Sequence, residues 1–313
     1  MKKEKVLIFG GNGFLGNSVA KLLSKNENYS IEIINGKEDL DITDYKSLSG
    51  FLENNLFNYV INCSAFVGGI AFGYEYPAQL LEINTTLANN LYKSCSESGV
   101  KMLINPISNC AYPEKITYYE EDKFWDGPPH VSVFNYGLSK RLMVALGKSY
   151  KEEYNFSSVN VILSNMYGPN DHFDESRSHA LGALVKKICD AKNNDIKEVE
   201  IWGTGKPIRE WLYVEDGAEA LIKSMELNDN THFFNVGVGK GISIKDLAEK
   251  IAYFADWSGE FVYNKEKPDG VMEKTVNGSN GEKLLNWKPS ISLDKGIKLT
   301  VDWYFKNGTK KRN

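Results

Sequence analysis

Short apolar runs alternate with longer stretches of helical periodicity through the first half of the chain. Val6-Leu7-Ile8-Phe9 reads as a strand buried on both faces, and Asn17–Leu23 as a helix after it. Ile31–Ile34, Tyr59–Asn62, Met102–Asn105 and Val159–Leu163 repeat the strand signal. Pro77 opens a long helix with Leu80, Leu87, Leu91 and Cys95 near one face, and Asn135–Tyr154 forms another. Repeated βα units of this length predict an α/β fold built on a Rossmann-type, doubly wound parallel sheet. Ligands of such sheets bind beyond the carboxyl ends of the strands, so the polar residues just after each strand are the candidates for chemistry.

After about residue 165 the rhythm breaks. Residues 166–178 look like a loop, His179–Cys189 like a helix, and 199–213 like strand and turn. Ser243 and Asp246 have the spacing of a capping box that starts another helix. The expected division is a dinucleotide-binding domain at 1–165 and a smaller C-terminal α/β substrate lobe, mainly 166–313, with segments near 210–240 returning to the first. The polar tail from Asn307 is expected to fray.

Composition narrows the class. A chain of 313 residues with 42% hydrophobic and 25% charged residues is an ordinary globular protein too long for one small core. Its 37 basic and 41 acidic residues give −4, which offers nothing to nucleic acid or an anionic membrane. No stretch reaches the ~18–20 apolar residues of a membrane span. The N-terminus has only Val6 to Phe9 as an apolar run before glycine, so a cytoplasmic location is expected. Cys63, Cys95, Cys110 and Cys189 form no C-x-x-C pair, and the four histidines lack ligand spacing, so neither a disulfide framework nor a metal site is expected.

Gly10, Gly13 and Gly16 follow the first strand and open a helix, the context in which this triplet binds a dinucleotide. Gly10 allows the turn, Gly13 the approach of the pyrophosphate, and Gly16 the packing of helix on sheet. An NAD site places an acid at the end of the second strand for the ribose hydroxyl. That end reads Ile34-Asn35-Gly36-Lys37, which favours a 2′-phosphate and hence NADP(H).

Tyr136 and Lys140 stand at i and i+4 on a helix, where an ammonium lowers a phenol's pKa and lets it exchange a proton with a substrate oxygen. Ser108 supplies a hydroxyl at the same sheet edge. These three behind a glycine fingerprint resemble the short-chain dehydrogenase/reductase family. Cys110, two residues after the serine, and His179, just before an apolar helix, are further candidates; each also reads as an ordinary structural residue.

The extended motifs resemble one subfamily of the extended members, the GDP-L-fucose synthases, which are GDP-4-keto-6-deoxymannose 3,5-epimerase/4-reductases. They are Gly10–Gly16, Val67–Ile70, Ser108–Pro113, Tyr136–Lys140, Asn165–Asp171, Ser178-His179, Trp202–Glu210, Asn235–Gly237 and Lys267–Gly270. The resemblance implies Ser108, Tyr136, Lys140, Cys110 and His179 as the catalytic set. Cys110 would be the base at C3 and C5, His179 would return a proton from the other side, and Tyr136 would protonate the C4 oxygen during reduction. It implies a cofactor set of Gly10, Asn12, Gly13, Phe14, Leu15, Gly16, Lys37, Asp41, Ser64, Ala65, Tyr136, Lys140, Asn165, Met166 and His179. It implies substrate contacts from Val67, Gly68, Ser108, Asn109, Cys110, Asn165, Lys187, Trp202, Arg209, Lys267 and Asp269, and a homodimer through the helices at 77–97 and 136–153.

Departures from the family pattern bear on selectivity. Asn12 and Asn35 stand where the family tends to carry arginines, and Lys187 replaces an arginine, keeping charge without the planar fork. Val271-Met272-Glu273-Lys274-Thr275 replaces a basic, leucine-rich stretch. A reductase alone, on a related GDP-4-keto sugar such as a heptose with a separate epimerase, is the competing expectation. A 4,6-dehydratase would need acids after the fourth strand, where Asn109 and Cys110 stand; a 4-epimerase would not need Cys110; a non-enzymatic NADP-sensing protein would not need Tyr136 and Lys140.

Overall fold

The computed structural model describes residues 3–174, 178–228, 230–267 and 269–308. Ser176 and Arg177 before His179, Pro268 of the Lys267–Gly270 run, and 309–313 of the polar tail lie outside the described residues.

The chain runs through β1 (Glu4–Phe9), α1 (Phe14–Leu23), β2 (Tyr29–Ile34), α2 (Tyr45–Asn55), β3 (Tyr59–Asn62), α3 (Ile70–Glu75), α4 (Pro77–Glu97), β4 (Met102–Ser108), β5 (Tyr118–Tyr119), α5 (Phe134–Tyr154), β6 (Ser157–Leu163) and β7 (Asn165–Tyr167). It continues through α6 (Ala180–Asn193), β8 (Glu198–Trp202), β9 (Ile208–Tyr213), α7 (Val214–Ser224), β10 (His232–Val236), β11 (Gly241–Ser243), α8 (Ile244–Phe254), β12 (Glu260–Asn264), β13 (Glu273–Val276), α9 (Ser279–Leu285) and α10 (Leu293–Asn307).

Six parallel strands form the central sheet in the order β10-β6-β4-β3-β1-β2. Alternation along β1 explains why both faces are covered: Leu7 and Phe9 join a core with α2, α4 and α5, while Val6 and Ile8 join one with α1 and α7. A third core gathers α6, α8 and α10 against β8 and β9. Among the described residues no helix is long and apolar enough to cross a membrane.

The sheet order switches direction at β1, which lies between β2 and β3. The crevice beyond β1 and β3 is therefore where a ligand belongs. Gly10 leaves β1 there with φ +72°, and a Cβ on it would lie 2.9 Å from the Cys63 carbonyl at the exit of β3. No side chain fits that approach.

The strand read as ending at Asn105 continues to Ser108, through Pro106. β3 pairs with β4 only as far as Ile104, so beyond that point β4 has a single neighbour, β6. A proline without an N–H is tolerated on such an edge. The extension carries Ser108 to the sheet's rim.

A second sheet runs β11-β9-β13-β5, with β7 also paired to β9, and β8 pairs with β12. Glu210 on β9 is fully buried, and its carboxylate accepts the amides of Val238 (2.6 Å) and Val276 (2.7 Å). It thereby joins β9 to the loop leaving β10 and to β13. Burial pushes its pKa up and those amides oppose the push. Ser243 caps α8 as its spacing predicts: its hydroxyl accepts from Asp246 N at 3.0 Å and donates to the Asp246 carboxylate at 2.7 Å.

Candidate active site

α1 begins at Phe14 behind Gly13, with no side-chain cap and no acid in its first turn. The first helical bond runs from Asn17 N to Gly13 O at 3.0 Å. The amides of Phe14, Leu15 and Gly16 therefore lie ahead of the helix's own bonding, where an anion is favoured. A Cβ on Gly16 would come within 2.2 Å of Gly10 O. The bare donors and the glycine-only clearance fit a pyrophosphate, which Gly10, Gly13, Phe14, Leu15 and Gly16 would hold, with exposed Asn12 at the tip of the loop.

The loop after β2 is internally bonded. Asp39 accepts the Asn35 amide at 2.9 Å. Asp41 accepts from Thr43 N (3.0 Å) and Thr43 Oγ1 (2.6 Å) and pairs with Lys37 at 2.9 Å. The Thr43 hydroxyl, followed by Lys37, holds the Asp41 carboxyl below the usual range. Asp41, expected as a cofactor contact, also anchors its own loop. With Asp39 and Asp41 occupied, the loop presents the exposed Lys37 ammonium.

Ser108, Cys110, Tyr136 and Lys140 come together at the rim of β4. Ser108 caps the single 3₁₀ turn Asn109–Ala111, its hydroxyl accepting from Cys110 N at 3.3 Å. α5 lies directly against this turn: a Cβ on Gly137 would be 2.8 Å from Cys110 O. Arg141 Nε donates to Ala111 O at 2.7 Å, and Lys140 Nζ donates to Pro106 O at 3.1 Å. Lys140 is 3% exposed. Burial pulls its pKa down to about 8, against the pull of the Cys110 and Cys63 thiols. Its Nζ lies 5.6 Å from the Tyr136 ring centroid. Burial, then Cys110, pushes the Tyr136 phenol up, so the hydroxyl keeps its proton.

The loop after β3 carries Ser64, Ala65, Val67 and Gly68. Buried Asn84 of α4 clamps it, accepting from Phe66 N at 3.0 Å and donating to Phe66 O at 2.8 Å. Gly68 makes room for the Phe72 side chain, 2.5 Å from where a Cβ would stand. Val67 is exposed.

At the end of β8, the ammoniums of Lys187 from α6 and Lys267 from the loop after β12 lie 5.5 and 5.3 Å from the exposed Trp202 indole. Arg209, on β9 of the second sheet, is half-buried. Asn165 Nδ2 donates to Glu210 O at 3.0 Å, fixing β7 beside it, while Met166 packs in the core under α7. Asp269, an expected substrate contact, accepts from Thr204 N (2.6 Å) and Thr204 Oγ1 (2.7 Å), which ties it to the Gly203–Gly205 turn.

Residues 6–237 match the NAD dependent epimerase/dehydratase family. The chain belongs to this family. It is 30% identical over 316 residues to GDP-L-fucose synthase 1 of Arabidopsis thaliana, covering 98% of this chain and 94% of that protein. Its structure resembles a GDP-L-fucose synthetase of Naegleria fowleri bound to NADP (TM-score 0.88, 28% identity, 100% of this chain and 98% of that one). It also resembles a GDP-6-OMe-4-keto-L-xylo-heptose reductase of C. jejuni (TM-score 0.89, 25% identity, 98% and 99%).

Within this epimerase/dehydratase frame, His179 stands at the start of α6, and burial, then His172, disfavours its cationic form. Burial also pushes the Cys110 thiol up; the Ser108 hydroxyl, then Lys274 and Lys140, pull it back. Lys274 is the residue the sequence reading missed. It sits in the stretch set aside as a departure from the family pattern, and only the register of β13 brings it to the site. Among the described residues no group of three or more His, Cys, Asp or Glu could hold a metal ion.

Proposed function

We propose that this chain is an NADPH-dependent reductase of the C4 ketone of a GDP-linked 4-keto-6-deoxy sugar, and that it also inverts C3 and C5. The observation carrying the second step is Cys110, a thiol among Ser108, Tyr136 and Lys140, because reduction alone requires no thiol there.

The C4 ketone acidifies the protons on C3 and C5. Cys110 takes one of them as its thiolate, and the C4 oxygen receives the electron pair as an enolate. The Ser108 and Tyr136 hydroxyls donate hydrogen bonds to that oxygen. His179 returns a proton to the opposite face of the carbon, which inverts it. Thiolate with imidazolium has the same proton count as the neutral pair that burial favours at rest, so no external acid is needed. Gly10, Gly13, Phe14, Leu15 and Gly16 would hold NADPH, which would supply hydride for C4. Tyr136 gives its proton to the C4 oxygen, completing the hydroxyl, and Lys140 stands by to stabilise the phenolate.

Residues 1–165, joined by β10, serve the dinucleotide in this reading, and most of 166–313 serves the nucleotide sugar, with Lys187, Trp202, Arg209 and Lys267 around its diphosphate and base. The enzyme acts in the cytoplasm as a homodimer through α4 and α5. The second reading is a reductase alone on a GDP-4-keto heptose, favoured by the likeness to the C. jejuni heptose reductase.

The test is incubation with GDP-4-keto-6-deoxymannose in deuterated water, without and then with NADPH. Deuterium at C3 and C5 that disappears in Cys110→Ser, followed by GDP-L-fucose, supports the first reading. NADPH consumption without ring exchange removes the epimerase step.

A further inference from the structure

Strand β13 crosses the candidate site between β9 and β5, with Lys274 in register with Arg209 and Val276 in register with Tyr119. Residues two apart on a strand share a face. Val276 packs in the same core as Ala111, Tyr112 and Tyr119. Lys274 therefore faces the layer that holds the Ser108–Tyr112 turn. That layer is rigid: the Tyr112 and Tyr119 rings stack at 4.4 Å and 3°, Thr275 N donates to Thr117 O at 3.0 Å, and Asn277 N donates to Tyr119 O at 2.9 Å.

We propose that Lys274 is a positioning residue for Cys110, its ammonium held beside Arg209 on β13 so that the neighbouring thiol ionises where substrate carbon is presented. The inference deepens the reading above, which makes Cys110 the base.

The charges around the pair support it. Cys110 meets Lys274 from β13 and Lys140 and the Tyr136 phenol from α5, with Tyr119 from β5 and Ser108 on its own turn. Lys274 outweighs Lys140 in favouring the thiolate, and Lys140, pulled down to about 8, is the cation more readily lost as pH rises. Lys274 itself is held down first by burial and by Arg209, and held up by Cys110 and Glu114. The two lysines divide the work: Lys140 serves the phenol and the dinucleotide side, and Lys274 serves the thiol.

The test needs no substrate. The rate of iodoacetamide alkylation at Cys110, located by mass spectrometry, is followed against pH in the full chain, with Cys110→Ser as the background for the other three thiols. Lys274→Met keeps the stem and removes the charge. It is expected to raise the midpoint by about one pH unit, leaving roughly tenfold less thiolate at a fixed pH below it. Lys274→Arg is expected to restore the wild-type midpoint. A Lys274→Met midpoint equal to wild type, or an Arg variant as displaced as the Met variant, overturns the inference. If Lys274→Met does not fold, Lys274→Gln replaces it with the same expected rise, and an unmoved or lowered midpoint is fatal. A displaced midpoint together with absent ring deuteration keeps the role of Lys274 and removes the epimerase reading. Normal deuteration with an unmoved midpoint does the reverse.

Discussion

Replacing Lys140 with methionine isolates the energetic consequence of burying an ammonium at a reaction site. Lys140 is 3% exposed, and burial lowers its pKa from 10.5 to about 8. That gap of about 2.5 pH units corresponds to about 3 kcal/mol at ~1.36 kcal/mol per unit. At neutral pH the lysine is protonated in both folded and unfolded chains, so the whole penalty falls on the fold. As pH rises through the folded value, the folded lysine loses its proton while the unfolded one keeps it. The unfolded state then binds more protons, and stability rises with pH. Between about pH 7 and about pH 9.5 the wild type should recover about 2 kcal/mol that the variant, with no proton to lose, does not. The variant also gives up the bond to Pro106 O, about 1 kcal/mol, so its net advantage near neutrality is about 2 kcal/mol. Urea unfolding of both proteins at the two pH values measures this directly. A difference between them that stays constant with pH would refute the reasoning, whatever its size. The same variant should lose reductase activity, which makes it a case of stability exchanged for function.

Three other substitutions follow from the geometry. Gly16→Ala places a methyl 2.2 Å from Gly10 O and should weaken NADPH binding at least tenfold by fluorescence titration; unchanged affinity would remove the cradle. Glu210→Ala strands the amides of Val238 and Val276 and should cost about 3 kcal/mol in urea unfolding, and a loss under about 1 kcal/mol would mean the weld is dispensable. Trp202→Ala should raise KM for the GDP-sugar about tenfold with kcat nearly unchanged, whereas an equal fall in kcat would place the indole in the reaction step instead.

The central sheet was legible because β1 and β3 carry the unbroken apolar runs Val6–Phe9 and Tyr59–Ile61 that a strand buried on both faces favours, and β6 carries Val159, Val161, Ile162 and Leu163 around one buried asparagine. Ser108, Tyr136, Lys140 and Cys110 were legible because their spacing survives translation into a strand end and a helix face. α2 was not, since only Leu48, Ser49 and Leu52 are buried along it and its start is marked by a single cap, Asp44. The end of β4 was misread because proline argues against a strand, and only its edge position past Ile104 resolves the conflict. The internal bonds of Asp41 and Asp269 were not legible, because a carboxylate in a loop carries no sign of which backbone amide it will accept. Lys274 was hidden for a different reason: its neighbour Cys110 lies far away in sequence, and nothing local specifies that pairing.

Adjacent residues on a strand point to opposite sides, and β9 uses this at Arg209 and Glu210. The buried glutamate fastens the strand to two other segments, so the guanidinium next to it stands on an immobilised backbone before any ligand arrives. In the proposed reading, where Arg209 meets the diphosphate, that contact draws little on conformational search, and more of its energy is left for affinity. A substitution at the hidden glutamate should therefore present itself to an observer of kinetics as a defect in ligand capture, although its carboxylate is spent on the amides of Val238 and Val276.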